Sequence, residues 1–235
     1  MFKFLYPSHL FSFLNKGISI ISAIIIPFLF LSLIFALLIS PQDYIQGDTV
    51  RIMYVHVPAA WMTLMCFGMI SFLCILTFLF KTKNNILLYK SIAPIGLSLS
   101  LIAIITGSLW GEPTWGTYWV WDARLTSMLV LMFFYLIFIF SYKFISNQNL
   151  SLKVCTGISV IGLINLFIIK YSVNIWPTLH QTESIKIIGR TTVDSSMLLP
   201  LSMMLLVFFL YCALIFLMKY KSEVIRIKKK GLKKI

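Results

Sequence analysis

Residues 18–39 read ISIISAIIIPFLFLSLIFALLI, twenty-two residues from Ile18 to Ile39 without one charge. A helix needs about 20 apolar residues to cross the hydrocarbon of a bilayer. This stretch therefore makes the number of spans, rather than the size of a soluble core, the question to settle. Working outward, five more segments of the same kind follow, at 61–80, 91–109, 127–144, 154–173 and 197–218. The links between them are short, and no internal repeat is visible. The whole chain of 235 residues is 60% hydrophobic, with a mean hydropathy of +0.94, where soluble chains are about half apolar. The expected fold is an all-α integral membrane protein of six transmembrane helices, forming a single domain over residues 1–235. Its outer loops are expected at 41–60, 110–126 and 174–196, and a basic inner tail at 219–235. The first span is too long for a signal-peptide core and has no small-residue cleavage site, so it is expected to remain as an anchor.

Orientation follows from the charges. With the N-terminus placed inside, fifteen of the 20 Lys and Arg fall on inner segments and five (Arg51, Arg124, Lys170, Lys186 and Arg190) on outer ones. Six of the 7 acids fall outside, leaving Glu223 inside. This is the sense of the positive-inside rule, and an even number of spans keeps both termini on the cytoplasmic (or matrix) side. The net charge of +13 is then mostly inner-face lysine, which explains it by topology and attraction to anionic lipid rather than by nucleic acid. The four cysteines (Cys66, Cys74, Cys155, Cys212) all fall within spans and form no C-x-x-C or C-x-x-C-H, so they read as buried packing thiols. With no G-x-x-x-x-G-K-[ST], any ATP-driven step belongs to a partner. No hydrolytic constellation is present either, and the chain is not expected to be an enzyme. Asn165 is expected to form a helix–helix hydrogen bond, and no line of charges suits an ion path.

The polar and aromatic chemistry is asymmetric. All six tryptophans (Trp61, Trp110, Trp115, Trp119, Trp121, Trp176) lie at or beyond the outer ends of spans, whereas an ordinary aromatic belt marks both interfaces. His56 and His180 lie on that same side, and His9 does not. His56 is expected just ahead of the second span, whose early residue is Pro58; His180 is expected in the third outer loop. Between spans three and four runs Trp115-Gly116-Thr117-Tyr118-Trp119-Val120-Trp121-Asp122-Ala123-Arg124-Leu125-Thr126. If helical, it places Trp115, Tyr118, Trp119 and Asp122 at i, i+3, i+4 and i+7 on one face, a ring stack about 10 Å long that matches a porphyrin edge. Gly111, Pro113 and Gly116 suggest a turn before that helix. Neutral imidazoles are good axial ligands for haem iron, one on each face. Haem is thus one reading of two histidines beside a tryptophan cluster. Interfacial histidines and a headgroup-anchoring helix are the other. Three of the four arginines (Arg51, Arg124, Arg190) are outside, whereas 14 of the 16 lysines are inside. A guanidinium clamps a carboxylate with two parallel hydrogen bonds as Lys cannot, which makes these arginines candidate contacts for haem propionates.

At these residues the sequence resembles the cytochrome c maturation protein C family (haem exporter protein C) of the tryptophan-rich, or WWD, haem-handling group. The match is carried by Trp115-Gly116-Thr117, Trp119 to Ser127, Tyr54 with His56 to Met62, and Thr178-Leu179-His180-Gln181. The family pattern has Trp where Tyr118 stands here. The resemblance implies that His56 and His180 are axial haem ligands and that Trp115, Tyr118, Trp119, Trp121 and Asp122 form a haem platform. It implies haem b, held non-covalently and in transit. The haem is presented at the outer face and passed to a membrane-anchored chaperone that binds it covalently. The partners implied are that chaperone, a small single-span accessory subunit and a two-component ABC transporter. The location implied is a bacterial inner membrane, or the mitochondrial inner membrane if the gene is organellar. Exchange of this kind suits ligands on mobile outer loops rather than rigid mid-span positions. Two rivals stand beside it: a b-type haem subunit exchanging electrons with quinone, and a haem-free assembly subunit that docks a partner through its Trp-rich loop.

Overall fold

In the computed structural model, which describes residues 7–82, 85–181 and 193–232, the chain is all helical apart from turns and one short bridge at Asp43 and Gly47. Among the described residues, six helices are long and apolar enough to cross a membrane. They are α1 (Pro7–Ile34), α2 (Met53–Phe80), α3 (Asn85–Trp115), α4 (Ala123–Phe144), α5 (Gln148–Ile175) and α6 (Ser195–Leu232). A π-helical turn, Phe35–Ile39, extends α1, and a 3-10 turn, Asp48–Ile52, leads straight into α2. Helix α6 includes the basic residues from Lys219 to Lys230.

Helices α2 to α5 form the centre: α2 lies against α3 and α5, and α4 against α3 and α5. Helix α6 covers α2 and α3 from outside, and α1 packs on α6. In lipid there is no hydrophobic drive between apolar helices, so close packing around small residues must hold them. Gly96 and Gly162 show how. A Cβ on Gly96 would stand 2.2 Å from the Tyr135 ring, and one on Gly162 2.2 Å from the Phe67 ring. Each glycine therefore opens a slot for an aromatic ring from a neighbouring helix. The two rings meet edge to face, with centroids 5.1 Å apart, and the Tyr135 hydroxyl donates to the Thr63 carbonyl at 2.7 Å. All four cysteines are buried free thiols in the packing, as their positions in spans suggested. Asn165 Nδ2 donates to the Ser127 carbonyl at 2.9 Å, the α5–α4 hydrogen bond expected of it.

The starts of α2, α4 and α6 and the ends of α3 and α5 gather at one end of the bundle. Two local expectations fail there. Helix α3 does not turn at Gly111 or Pro113 but runs through both to Trp115. It stops at Gly116, whose φ of +74° lies in the left-handed region that only glycine adopts freely. The segment from Gly116 to Asp122 is then irregular, so the one-faced stack of Trp115, Tyr118, Trp119 and Asp122 does not form. Helix α2 also begins earlier than Pro58 suggested. The 3-10 turn at Asp48–Ile52 nucleates it, Pro58 sits in its second turn, and His56 is a helical residue rather than a loop residue.

Candidate functional site

His56 is fixed by α3. Its Nδ1 lies 3.0 Å from the Ala103 carbonyl and 3.3 Å from Thr106 Oγ1. A carbonyl only accepts, so Nδ1 carries the hydrogen and Nε2 keeps its lone pair. Thr106 Oγ1 donates to the Ile102 carbonyl at 2.6 Å, which turns an oxygen lone pair toward the imidazole. Gly107 makes the room: a Cβ there would be 2.8 Å from His56 Cε1 and 3.2 Å from Nδ1. Trp110, one turn further along α3, closes on the imidazole edge to face at 5.8 Å. Trp110 is itself held by its Nε1, which donates to Gln46 Oε1 at 2.8 Å.

His180 reaches the same place from beyond α5. The two imidazole centroids are 6.5 Å apart, with planes tilted by 41°. The Trp115 ring lies 6.2 Å from His180. His180 Nδ1 donates to the Gln181 carbonyl at 2.9 Å, so its free lone pair is also on Nε2. Burial, with the Arg124 guanidinium adding to it, pushes the His180 pKa down to about 4, while the Gln181 bond and Asp122 oppose the shift. His180 is therefore neutral at physiological pH, as a metal-ligating imidazole must be.

Asp122 joins the two sides. Its Oδ1 accepts from Leu125 N at 2.7 Å, which makes it the N-cap of α4. Its Oδ2 accepts from the Thr178 hydroxyl. Thr178 Oγ1 in turn accepts from the His180 amide at 3.0 Å. A shallow groove of about 400 Å³ lies alongside, lined by Val120, Trp121, Asp122, Pro177, Thr178 and Leu179.

The remaining sequence candidates divide. Trp119 and Trp121 pack edge to face at 5.6 Å. Trp119 is half-buried, with Nε1 meeting no hydrogen-bond acceptor among the described residues. Trp121 and Tyr118 are exposed, by 79% and 59%, and do not join the His56–His180 contact. Arg124 stands in the first turn of α4, where its charge acts on His180. Arg51 is engaged elsewhere, bridging Asp48 at 3.0 Å and donating to the Ser40 carbonyl at 3.4 Å. Arg190 lies outside the described residues. Sequence reasoning missed Ala103, Thr106 and Gly107. The signal available was Thr106-Gly107, a small pair near the outer end of the span at 91–109.

Chemically, this is a pair of neutral imidazoles offering lone pairs beside aromatic surface and a guanidinium. With centroids 6.5 Å apart, the two imidazoles are close enough that they would be able to share one bound metal ion. Each Nδ1–H is tied to a carbonyl, the outer hydrogen bond that orients a ligating histidine and raises its basicity.

Residues 1–234 match the family model described as heme exporter protein C. Heme exporter protein C of Bradyrhizobium diazoefficiens is 39% identical over 188 residues, covering 80% of this chain and 72% of the relative. That of Escherichia coli is 37% identical over 191 residues, 81% of this chain and 77% of the relative. A putative cytochrome c biosynthesis ccmC-like mitochondrial protein of Marchantia polymorpha is 41% identical over 187 residues, 80% and 79% of the two chains.

Proposed function

This chain belongs to the heme exporter protein C family, a multi-pass inner-membrane family of haem handling in cytochrome c maturation, and on that footing we propose that it holds haem between His56 and His180. The observation that carries this reading is the 6.5 Å pairing of two imidazoles whose Nδ1 atoms are both already committed as donors. The haem is type b, bound without a covalent link and only in transit. Trp110, Trp115 and Trp119 supply aromatic surface beside it, and Arg124 is the arginine best placed for a propionate. Trp121 and Tyr118, being exposed, suit the rim of the site.

The orientation rests on the lysine bias. The whole chain acts as one six-helix membrane domain, with both termini inside and the tryptophan-bearing end outside. There the haem is presented to a membrane-anchored chaperone that takes it covalently. A single-span accessory subunit and a two-component ABC transporter complete the assembly. Two endogenous imidazoles shield both faces of a hydrophobic, aggregation-prone cargo while leaving its edges accessible. The test is the visible spectrum of the detergent-purified protein beside His56→Gly and His180→Gly, each with and without added imidazole. Loss of the bis-imidazole spectrum in each variant, restored by imidazole, is expected. A colourless protein, or haem indifferent to both changes, refutes the proposal.

One observation favours the second reading, a quinone-linked b-type subunit: His56 is part of a membrane-crossing helix, as the ligands of such proteins are. A haem that titrates with quinol, and does not pass to a chaperone, would establish that alternative.

A further inference from the structure

The Asp122 carboxylate is occupied on both oxygens by the protein itself. One oxygen caps α4 and the other holds Thr178. The Thr178 hydroxyl uses both its functions: it donates to Asp122 and accepts from the His180 backbone amide. A continuous hydrogen-bonded line therefore runs from the first turn of α4 through two side chains into the backbone of His180. Among the described residues, His180 is otherwise held by its Nδ1 bond to the Gln181 carbonyl and by ring contacts with His56 and Trp115. It follows the end of α5 at Ile175, and Trp176, Pro177, Leu179 and Gln181 are all exposed. His56, by contrast, is set by a helix and by the α3 backbone.

We propose that Asp122 and Thr178 are positioning residues that hold His180 opposite His56, with Asp122 acting through Thr178 rather than by touching the haem. This rests on the reading of His180 as an axial ligand. The arrangement gives the two ligands different freedom. His56 is built into the bundle, whereas among the described residues His180 is tied to the start of α4 by a side-chain link that can open without disturbing a helix. Parting of Thr178 from Asp122 would then loosen the His180 side of the site while His56 stays in place.

The experiment titrates hemin into the full-length protein in detergent, comparing wild type with Thr178→Val, Thr178→Ser and His180→Gly. Thr178→Val keeps the shape and leaves the α4 cap in place but removes both hydroxyl bonds. It is expected to lower hemin affinity about fivefold, the effect of a typical hydrogen bond. It should also convert part of the low-spin spectrum to high-spin, with added imidazole restoring the low-spin form. Thr178→Ser should match wild type. In the haem-free protein, amide exchange across residues 178–181 should quicken about fivefold in Thr178→Val. A Thr178→Val protein with wild-type spectrum and exchange, beside a His180→Gly protein that has lost the low-spin form, would overturn the positioning role and leave the ligand assignment standing. A complete loss of haem in Thr178→Val that imidazole does not restore would also overturn it, because Thr178 would then not act through His180. A His180→Gly protein with a wild-type spectrum would remove the reading beneath both.

Discussion

Gly107→Ala tests whether the α3 surface under His56 sets the haem site. The added methyl would stand 2.8 Å from His56 Cε1 and 3.2 Å from Nδ1, where an ordinary contact begins at 3.4 Å. The ring must therefore retreat by roughly half an ångström or more, because the other partner is helix backbone. That movement stretches the 3.0 Å bond to the Ala103 carbonyl towards the limit of a hydrogen bond. Losing that bond costs about 1 kcal/mol, and forcing a methyl into packed space typically costs about 1–3 kcal/mol. An iron–nitrogen bond tolerates little displacement, so most of this should appear as weaker haem binding. The expected result is a rise in hemin Kd of about ten- to a hundredfold, read by spectrophotometric titration. Gly68→Ala is the control. Gly68 lies in α2 with nothing within 4 Å of its would-be Cβ, and alanine there should leave Kd unchanged. Gly107→Ala binding hemin as tightly as wild type, with an unshifted spectrum, would refute the argument that α3 fixes the ligand.

Gly162→Ala should be the more damaging to the fold, because its Cβ would stand 2.2 Å from a fully buried Phe67 ring; a fall in detergent Tm larger than that of Gly107→Ala is expected, and equal values would count against it. Arg124→Lys should weaken haem retention although charge is kept, since the paired donors are lost. Arg51→Lys should leave retention nearly unchanged, because Arg51 serves Asp48 and Ser40; haem content after gel filtration reads both. With the His180 pKa pushed down to about 4, lowering the pH from 8 to 5.5 should not protonate it. The unfolded chain, with its ordinary value near 6.5, takes up a proton first. The His180 contribution to stability is therefore intact above about pH 6.5 and lost progressively as pH falls towards 4. Low-spin haem that disappears already between pH 7 and 6 would contradict this environment for His180.

The six helices were legible because apolar runs with at most one charge and long enough for a bilayer leave few alternatives. Their boundaries were less so. Hydropathy marks where lipid ends, not where hydrogen bonding ends, so α3 and α6 run on past the apolar windows at 91–109 and 197–218. Pro58 misled for a related reason. Proline at an early helical position is compatible with a first turn, but the 3-10 turn at Asp48–Ile52 had already started the helix. That error matters for the site, because it moved His56 from an expected loop onto a rigid helix. The expectation that both histidines lie on loops fits His180, which follows the end of α5, and not His56, which lies in α2.

The tryptophan segment shows why spacing could not settle the rest. Reading Trp115, Tyr118, Trp119 and Asp122 at helical intervals assumed one regular element, while two local signals spoke against it. Gly116 offers the left-handed turn that ends a helix, and Asp122 directly precedes the apolar run of α4, the position of an N-cap. Once Asp122 is a cap, one of its carboxylate oxygens is bound to its own helix. Its second oxygen is then free for one partner, and the fold supplies Thr178 from fifty-six residues away. No period in the sequence encodes that meeting. It follows from α5 returning antiparallel to α4, which brings the residues after Ile175 back to the start of α4. The histidines, by contrast, could be paired before their geometry was known, since an even number of spans puts both loops on one side. What the sequence left open was that the α3 backbone sets His56, whereas Asp122 and Thr178 reach the backbone of His180 from the start of α4.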